Sequence, residues 1–230
     1  MKDQYRLYHY PICPFSRKIR IILHEKEIDY VEVIENFWEK RDKFCIINPT
    51  GMVPFLAIKR FDIDKPLLIF GVNSIIYYLE NKFPKKSTIF GSLDSAVEIM
   101  KMSEWFDLKF YSDVSKYILN ERVYLWYKLQ KQPDMQLLKL ARLNLDSNLK
   151  FITNILSKKD WIGGTEFSLA DISCASHLSS LDYLGEINWN NYSILKDWYS
   201  IIKSKPSFRN LLSDSLSGFK ASKWYRELDF

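Results

Sequence analysis

Strand-forming signals in this chain are concentrated before Gly71, and beyond it apolar residues recur in steps of three and four. A chain patterned this way builds a mixed α/β unit first and a helical one after it. Tyr5 to Tyr10 reads as a strand closed by Pro11. A helix follows, with Cys13 at its N-cap, Pro14 in its first turn and Phe15, Ile19, Ile22 and Leu23 at helical spacing. Arg17, Lys18 and Arg20 are assigned to its wet face. Tyr30 to Ile34 alternates as a second strand, and Trp38 to Cys45 forms a short helix. Asn48-Pro49-Thr50-Gly51 makes a turn, and Val53 to Ile58 with Leu67 to Phe70 brackets a polar loop as an antiparallel hairpin. Asn73 to Phe83 is a helix ended by Pro84. The order β-α-β-α-β-β-α predicts one α/β domain over residues 1–84.

Pro84-Lys85-Lys86-Ser87 has linker composition, and the linker is set at 85–94. An all-helical domain is expected over 95–214, with an extended tail over 215–230. Ile99, Met102, Phe106 and Phe110 mark one helical stripe, and Leu138, Ala141, Leu145, Leu149, Ile152 and Leu156 mark another. Ser168 and Asp171 stand as an N-cap and the acid three residues on, opening a helix through Leu184. Leu195, Trp198, Ile201 and Ile202 mark a further helix stopped by Pro206. The fold class is therefore α/β plus all-α. With 7 glycines and 8 prolines, long helices fit better than many short strands.

The net charge of +5 is spread along the chain, which argues against a nucleic-acid partner. Three widely spaced cysteines, Cys13, Cys45 and Cys174, fit a reducing compartment better than a disulfide framework. The first ten residues are polar and strand-like, and no apolar run nears the ~18 residues that span a bilayer. A cytoplasmic protein without membrane insertion is expected. No set of histidines, cysteines and acids has metal-ligand spacing, so no metal site is assigned.

Three marks carry a family resemblance. They are the strand and basic helix around Cys13-Pro14-Phe15-Ser16, the turn Asn48-Pro49-Thr50-Gly51-Met52-Val53-Pro54, and the cap Phe167-Ser168-Leu169-Ala170-Asp171. In order and at these distances, they resemble the glutathione S-transferase superfamily over nearly the whole chain. The resemblance implies a thioredoxin-like N-terminal domain, a C-terminal helical bundle and a homodimer. It also implies a cis bond at Pro54, with Val53 on the glutathione backbone. The stretches Glu35 to Arg41, Ala175 to Trp189, Lys203 to Arg209 and Leu228-Asp229-Phe230 resemble, more narrowly, an alphaproteobacterial subgroup of the superfamily that includes an FtsZ-binding cell-division protein. That implies FtsZ as a partner.

Two functions follow from these residues. A thiol at a helix N-terminus feels the positive end of the macrodipole, so Cys13 is expected below the ~8.5 of free cysteine, with Arg17 and Lys18 adding to the effect. Cys-Pro-Phe-Ser also resembles the single-cysteine glutaredoxins and the omega transferases, whose cysteine forms a mixed disulfide with glutathione. An enzyme would use Cys13 with Ser16 for glutathione conjugation or thiol transfer; the plainer alternative is that Cys13 only caps the helix. Against the enzyme stand Gly71 and Val72, where the family carries an acid and a serine for the γ-glutamyl group. Neither offers a side-chain donor or acceptor, and charge-assisted hydrogen bonds worth ~1.5–3 kcal/mol each are missing. The favoured reading is a binding module that requires no cofactor, glutathione being the one candidate ligand. Its partner-binding residues are expected to be Trp38 with Arg41, within a charged run, and Trp224, Tyr225, Asp229 and Phe230 in the tail. On that expectation the tail can be removed with the melting temperature nearly unchanged. The alternative for the tail is packing back over the helical domain. Asp171 is read as a structural cap, and His177 as a core histidine.

Overall fold

The computed structural model describes residues 2–84 and 89–228, arranged as two compact units, Met1–Ser87 and Thr88–Phe230. The expected linker positions 85–88, and Asp229 and Phe230 of the expected partner surface, lie outside the described residues.

The first unit is built on a four-stranded sheet in the order β2-β1-β3-β4, from β1 (Gln4–His9), β2 (Tyr30–Ile34), β3 (Phe55–Lys59) and β4 (Leu67–Phe70). The β1–β2 pair is parallel, and β1–β3 and β3–β4 are antiparallel. A parallel pair needs a crossover, and α1 (Pro14–Glu25) supplies it. The period of two along β1 sends Tyr5, Leu7 and His9 to one face and Gln4, Arg6 and Tyr8 to the other. Tyr5 meets Phe83 at the end of α3 (Val72–Lys82), so α3 and its neighbour α1 cover the first face. Tyr8 packs on Phe44 of α2 (Asp42–Ile47) and on Phe55, which places the six-residue α2 on the second face. A single 3₁₀ turn, Phe37–Glu39, precedes α2.

The assignment of Arg17, Lys18 and Arg20 to a wet face is corrected: all three are buried. Their spacing is that of an outer face, but the cost of leaving water falls when the charge is hydrogen-bonded. Arg17 Nε donates to the Pro11 carbonyl at 2.6 Å, and Arg20 Nε donates to Glu32 at 2.9 Å. Lys26, just past α1, pairs with Glu80 of α3 at 2.8 Å.

The second unit opens with a long helical rod over 93–129, in which α4 (Leu93–Trp105), α5 (Lys116–Leu119) and α6 (Leu125–Leu129) are separated by π-helical stretches, Phe106–Ser115 and Asn120–Tyr124. Phe106, Phe110, Val114 and Ile118 are all buried at a strict spacing of four. In a 3.6-residue helix each such step overshoots the stripe by about 40°, and the wider π turns hold the apolar side chains in line. Then come α7 (Met135–Leu156), α8 (Leu169–Tyr183), α9 (Ser193–Ser204) and α10 (Pro206–Leu212).

All fifteen residues of α8 are buried, which makes it the central helix. Four of its serines stay satisfied inside the core by donating back to carbonyls on the preceding turn, at 2.7–3.1 Å. Small side chains also allow close neighbours: Ser173 meets Ser103 of α4 at 2.9 Å, and His177 Nδ1 meets Ser115 at 2.9 Å.

The tail is not extended. Residues 213–228 fold back, with a bridge between Leu216 and Phe219 and the Ser222 N–H on the Tyr183 carbonyl at 2.9 Å.

Candidate functional site

The segment after β1 turns tightly: the Cys13 N–H donates to the Tyr10 carbonyl at 3.0 Å, and the Tyr10 N–H donates to the Ser16 hydroxyl at 3.3 Å. Cys13 is thereby fixed at the N-cap of α1, with Pro14 at its first position. The expected fall in its pKa is corrected. Burial pushes the Cys13 thiol up, and the Ser16 and Phe15 N–H groups, the Ser16 hydroxyl and the Arg17 charge do not make up the difference. Desolvation penalises the thiolate more than the helix end favours it. Ser16 is fully buried beside it.

The second element is the turn before β3. Asn48, fully buried, organises it: its amide donates to the Met52 carbonyl at 2.7 Å and its oxygen accepts from the Thr50 hydroxyl at 2.7 Å. Gly51 takes φ +58 there, and a Cβ on it would lie 3.0 Å from Lys40 Nζ. The chain then enters Val53-Pro54 through a cis peptide bond, as expected. The third element is the start of α3. Gly71 is its N-cap at φ +86, with no side-chain cap, and Val72 is the first helical residue.

Trp38 is not in a fully solvated run. It is half-buried, edge-on to the Tyr10 ring at 4.7 Å and to Phe37 at 5.2 Å. Tyr10 therefore joins Trp38 to the Cys13 turn, so the two residues that stood for rival functions share one locale. Arg41 stays exposed but is committed: its Nε donates to Glu35 at 3.1 Å, and Glu35 is buried with its own N–H on the His9 carbonyl at 2.8 Å. Tyr10 and Glu35 organise this locale, and sequence reasoning gave neither a role: Tyr10 lies far from Trp38 along the chain, and Glu35 entered only within the stretch Glu35 to Arg41.

Tyr225 is corrected as a partner-binding residue. Its side chain is fully buried, its hydroxyl donates to the Leu211 carbonyl at 2.6 Å and its ring lies 5.0 Å from Tyr183. Trp224 remains partly exposed, with Lys223 over its ring at 3.9 Å and its carbonyl accepting from Lys203 at 2.7 Å. In the second unit Asp171 is the structural cap its position suggested. It accepts from the Ser168 N–H at 3.0 Å, the Ser168 hydroxyl at 3.0 Å, the Ile162 N–H at 2.8 Å and Trp198 Nε1 at 3.2 Å. Burial pushes its carboxyl up to about 6 against the pull of these donors.

Residues 7–87 match the family model of the glutathione S-transferase N-terminal domain, and residues 135–200 match that of the C-terminal domain. FtsZ-localized protein A of Caulobacter vibrioides is 32% identical over 230 residues, covering 100% of each chain. The chain belongs to the glutathione S-transferase family. Among solved structures, this family member is similar to FzlA from C. crescentus, with a TM-score of 0.94, 32% identity and coverage of 99% of this chain and 100% of that one. It is also similar to a glutathione S-transferase from Rhodospirillum rubrum, with a TM-score of 0.90, 34% identity and the same coverage. No helix among the described residues of this transferase-fold chain is long and apolar enough to cross a membrane.

Proposed function

We propose that this protein is a binding module on a glutathione S-transferase scaffold, engaging FtsZ in bacterial cell division and binding glutathione weakly or not at all. The observation that carries the reading is the full-length 32% identity with FtsZ-localized protein A. Three features of the site support it. The Cys13 thiol is buried and its pKa is raised, so little thiolate is available for sulfur chemistry. Gly71 and Val72 put no polar side chain where the γ-glutamyl group would sit. Trp38 keeps part of its ring at the surface, and tryptophan is among the side chains in which binding energy concentrates. The protein acts in the cytoplasm as a homodimer; Tyr77 on α3 and Leu93, Val97 and Met100 on α4 are apolar and exposed in the single chain.

The second reading, an enzyme using Cys13, is favoured by the 34% identity with the R. rubrum glutathione S-transferase. Co-sedimentation with FtsZ filaments and a glutathione-dependent thiol-transfer assay separate the two. Wild type should co-sediment, Trp38→Ala should weaken binding about tenfold or more, a loss of about 1.4 kcal/mol, and Cys13→Ser should bind as wild type does. Calorimetry should register no glutathione binding at millimolar concentration. Absence of FtsZ binding by wild type, with turnover that dies in Cys13→Ser, rejects the binding module in favour of the enzyme.

A further inference from the structure

The second face of the sheet is only half covered. Tyr8 and Phe55 lie beneath Phe44 of α2, but six residues make less than two helical turns. Toward the other end of that face the register sets Gln4 beside Lys59, and Arg6 beside Val31. An open cleft of about 840 Å³ lies there, at the opposite end of β1 from Cys13 and walled by the β3–β4 loop. This volume falls within the range of small-molecule sites.

Four of the residues lining the cleft are cationic, Lys2, Arg6, Lys59 and Arg60. Of its three carboxylates Asp3 is committed, accepting from the Phe61 N–H at 3.3 Å and pairing with Lys82 at 3.5 Å. Arg60 Nε is buried and has no hydrogen-bond partner among the described residues. A guanidinium N–H withdrawn from water without an acceptor is costly, and its planar fork matches a carboxylate or phosphoryl group. Around it Val31, Phe61 and Ile63 are exposed at 58%, 64% and 40%, an apolar rim that no core claims.

We infer that this cleft binds a small organic anion, a carboxylate or phosphate monoester on an aromatic or aliphatic body, with the anion on Arg60 and the body against Phe61, Ile63 and Val31. The site is independent of the FtsZ reading and uses neither Cys13 nor the turn at Pro54. The test is titration of the full chain with 1-naphthyl phosphate, 1-naphthylacetate, neutral 1-naphthalenemethanol and inorganic phosphate, followed by calorimetry and by amide shifts in heteronuclear NMR. Both naphthyl anions should bind below millimolar concentration and shift the amides of residues 2–6 and 59–64. The alcohol and inorganic phosphate should each bind at least tenfold more weakly. Arg60→Met should weaken the anions at least tenfold. Arg6→Met, at an exposed position that does not endanger folding, should weaken them severalfold, and Phe61→Ser should do the same without abolishing the anion preference. Alcohol binding as tight as anion binding, shifts mapping elsewhere, anion affinity unaltered in both arginine variants, or no binding at millimolar concentration would overturn the inference.

Discussion

Cys13 and Lys203 show how burial overrides what a residue's local position offers. A thiol at a helix N-terminus ordinarily gains acidity, but Cys13 has left water, and the charged form bears that cost. Alkylation by iodoacetamide near neutral pH, read by peptide mapping, should therefore be at least tenfold slower at Cys13 in the native protein than in the denatured chain. Equal rates would contradict the buried thiol. Lys203 is fully buried with its ammonium on the Trp224 carbonyl, and burial lowers its pKa from 10.5 to about 8. The unfolded chain then holds more protons at this site between pH 8 and 10.5. Its contribution to stability consequently rises with pH across that window and is lost as pH falls back through it, by at most about 1.4 kcal/mol per pH unit. Denaturant unfolding of Lys203→Met should lack this rise, so that its stability curve and that of wild type differ in slope between pH 8 and 10.5; parallel curves would refute it.

At the level of elements the tail is the informative one. Its expected role as a free, detachable binding segment fails for Tyr225, which is part of the helical core under α8 and α10. Ending the chain after Lys223 should thus destabilise the protein by about 3–5 kcal/mol, the range for losing a large buried aromatic. It would also remove the Trp224 carbonyl that Lys203 holds. A melting temperature unchanged by this truncation would show that the segment does not support the core. Any loss of FtsZ binding in such a variant reports lost folding before lost contact, so Trp224→Ala is the cleaner probe of a tail contact, and Trp38→Ala of the first unit.

For the whole molecule the quantity to measure is the oligomeric state. Leu93 at 87%, Val97 at 72% and Tyr77 at 71% exposure are large apolar side chains that the single chain leaves in water, the kind of surface a folded monomer ordinarily keeps small. Light scattering at micromolar concentration should give the mass of a dimer, twice 27.4 kDa, and Val97→Glu with Leu93→Glu should halve it without unfolding either unit. A monomeric wild type would overturn the dimer.

Where the sequence alone sufficed, the information was local. The apolar runs that bracket a polar loop before Leu67 to Phe70, the Pro14 helix start, the turn at Asn48 to Gly51 and the Ser168–Asp171 cap each follow from the preferences of a few neighbouring residues, and each stands in the structure. The 3.6-residue period located α7 without help, because its stripe Leu138 to Leu156 keeps that period throughout. It did not carry through residues 111–129, where π turns alter the pitch. Only the tertiary structure decided what required knowing who covers whom: that Arg17, Lys18 and Arg20 leave water, that Cys13 loses acidity, that Tyr225 belongs to the core, and that Trp38 leans on Tyr10. Hydrogen bonding and desolvation depend on residues distant along the chain, and no pattern in a short window carries them.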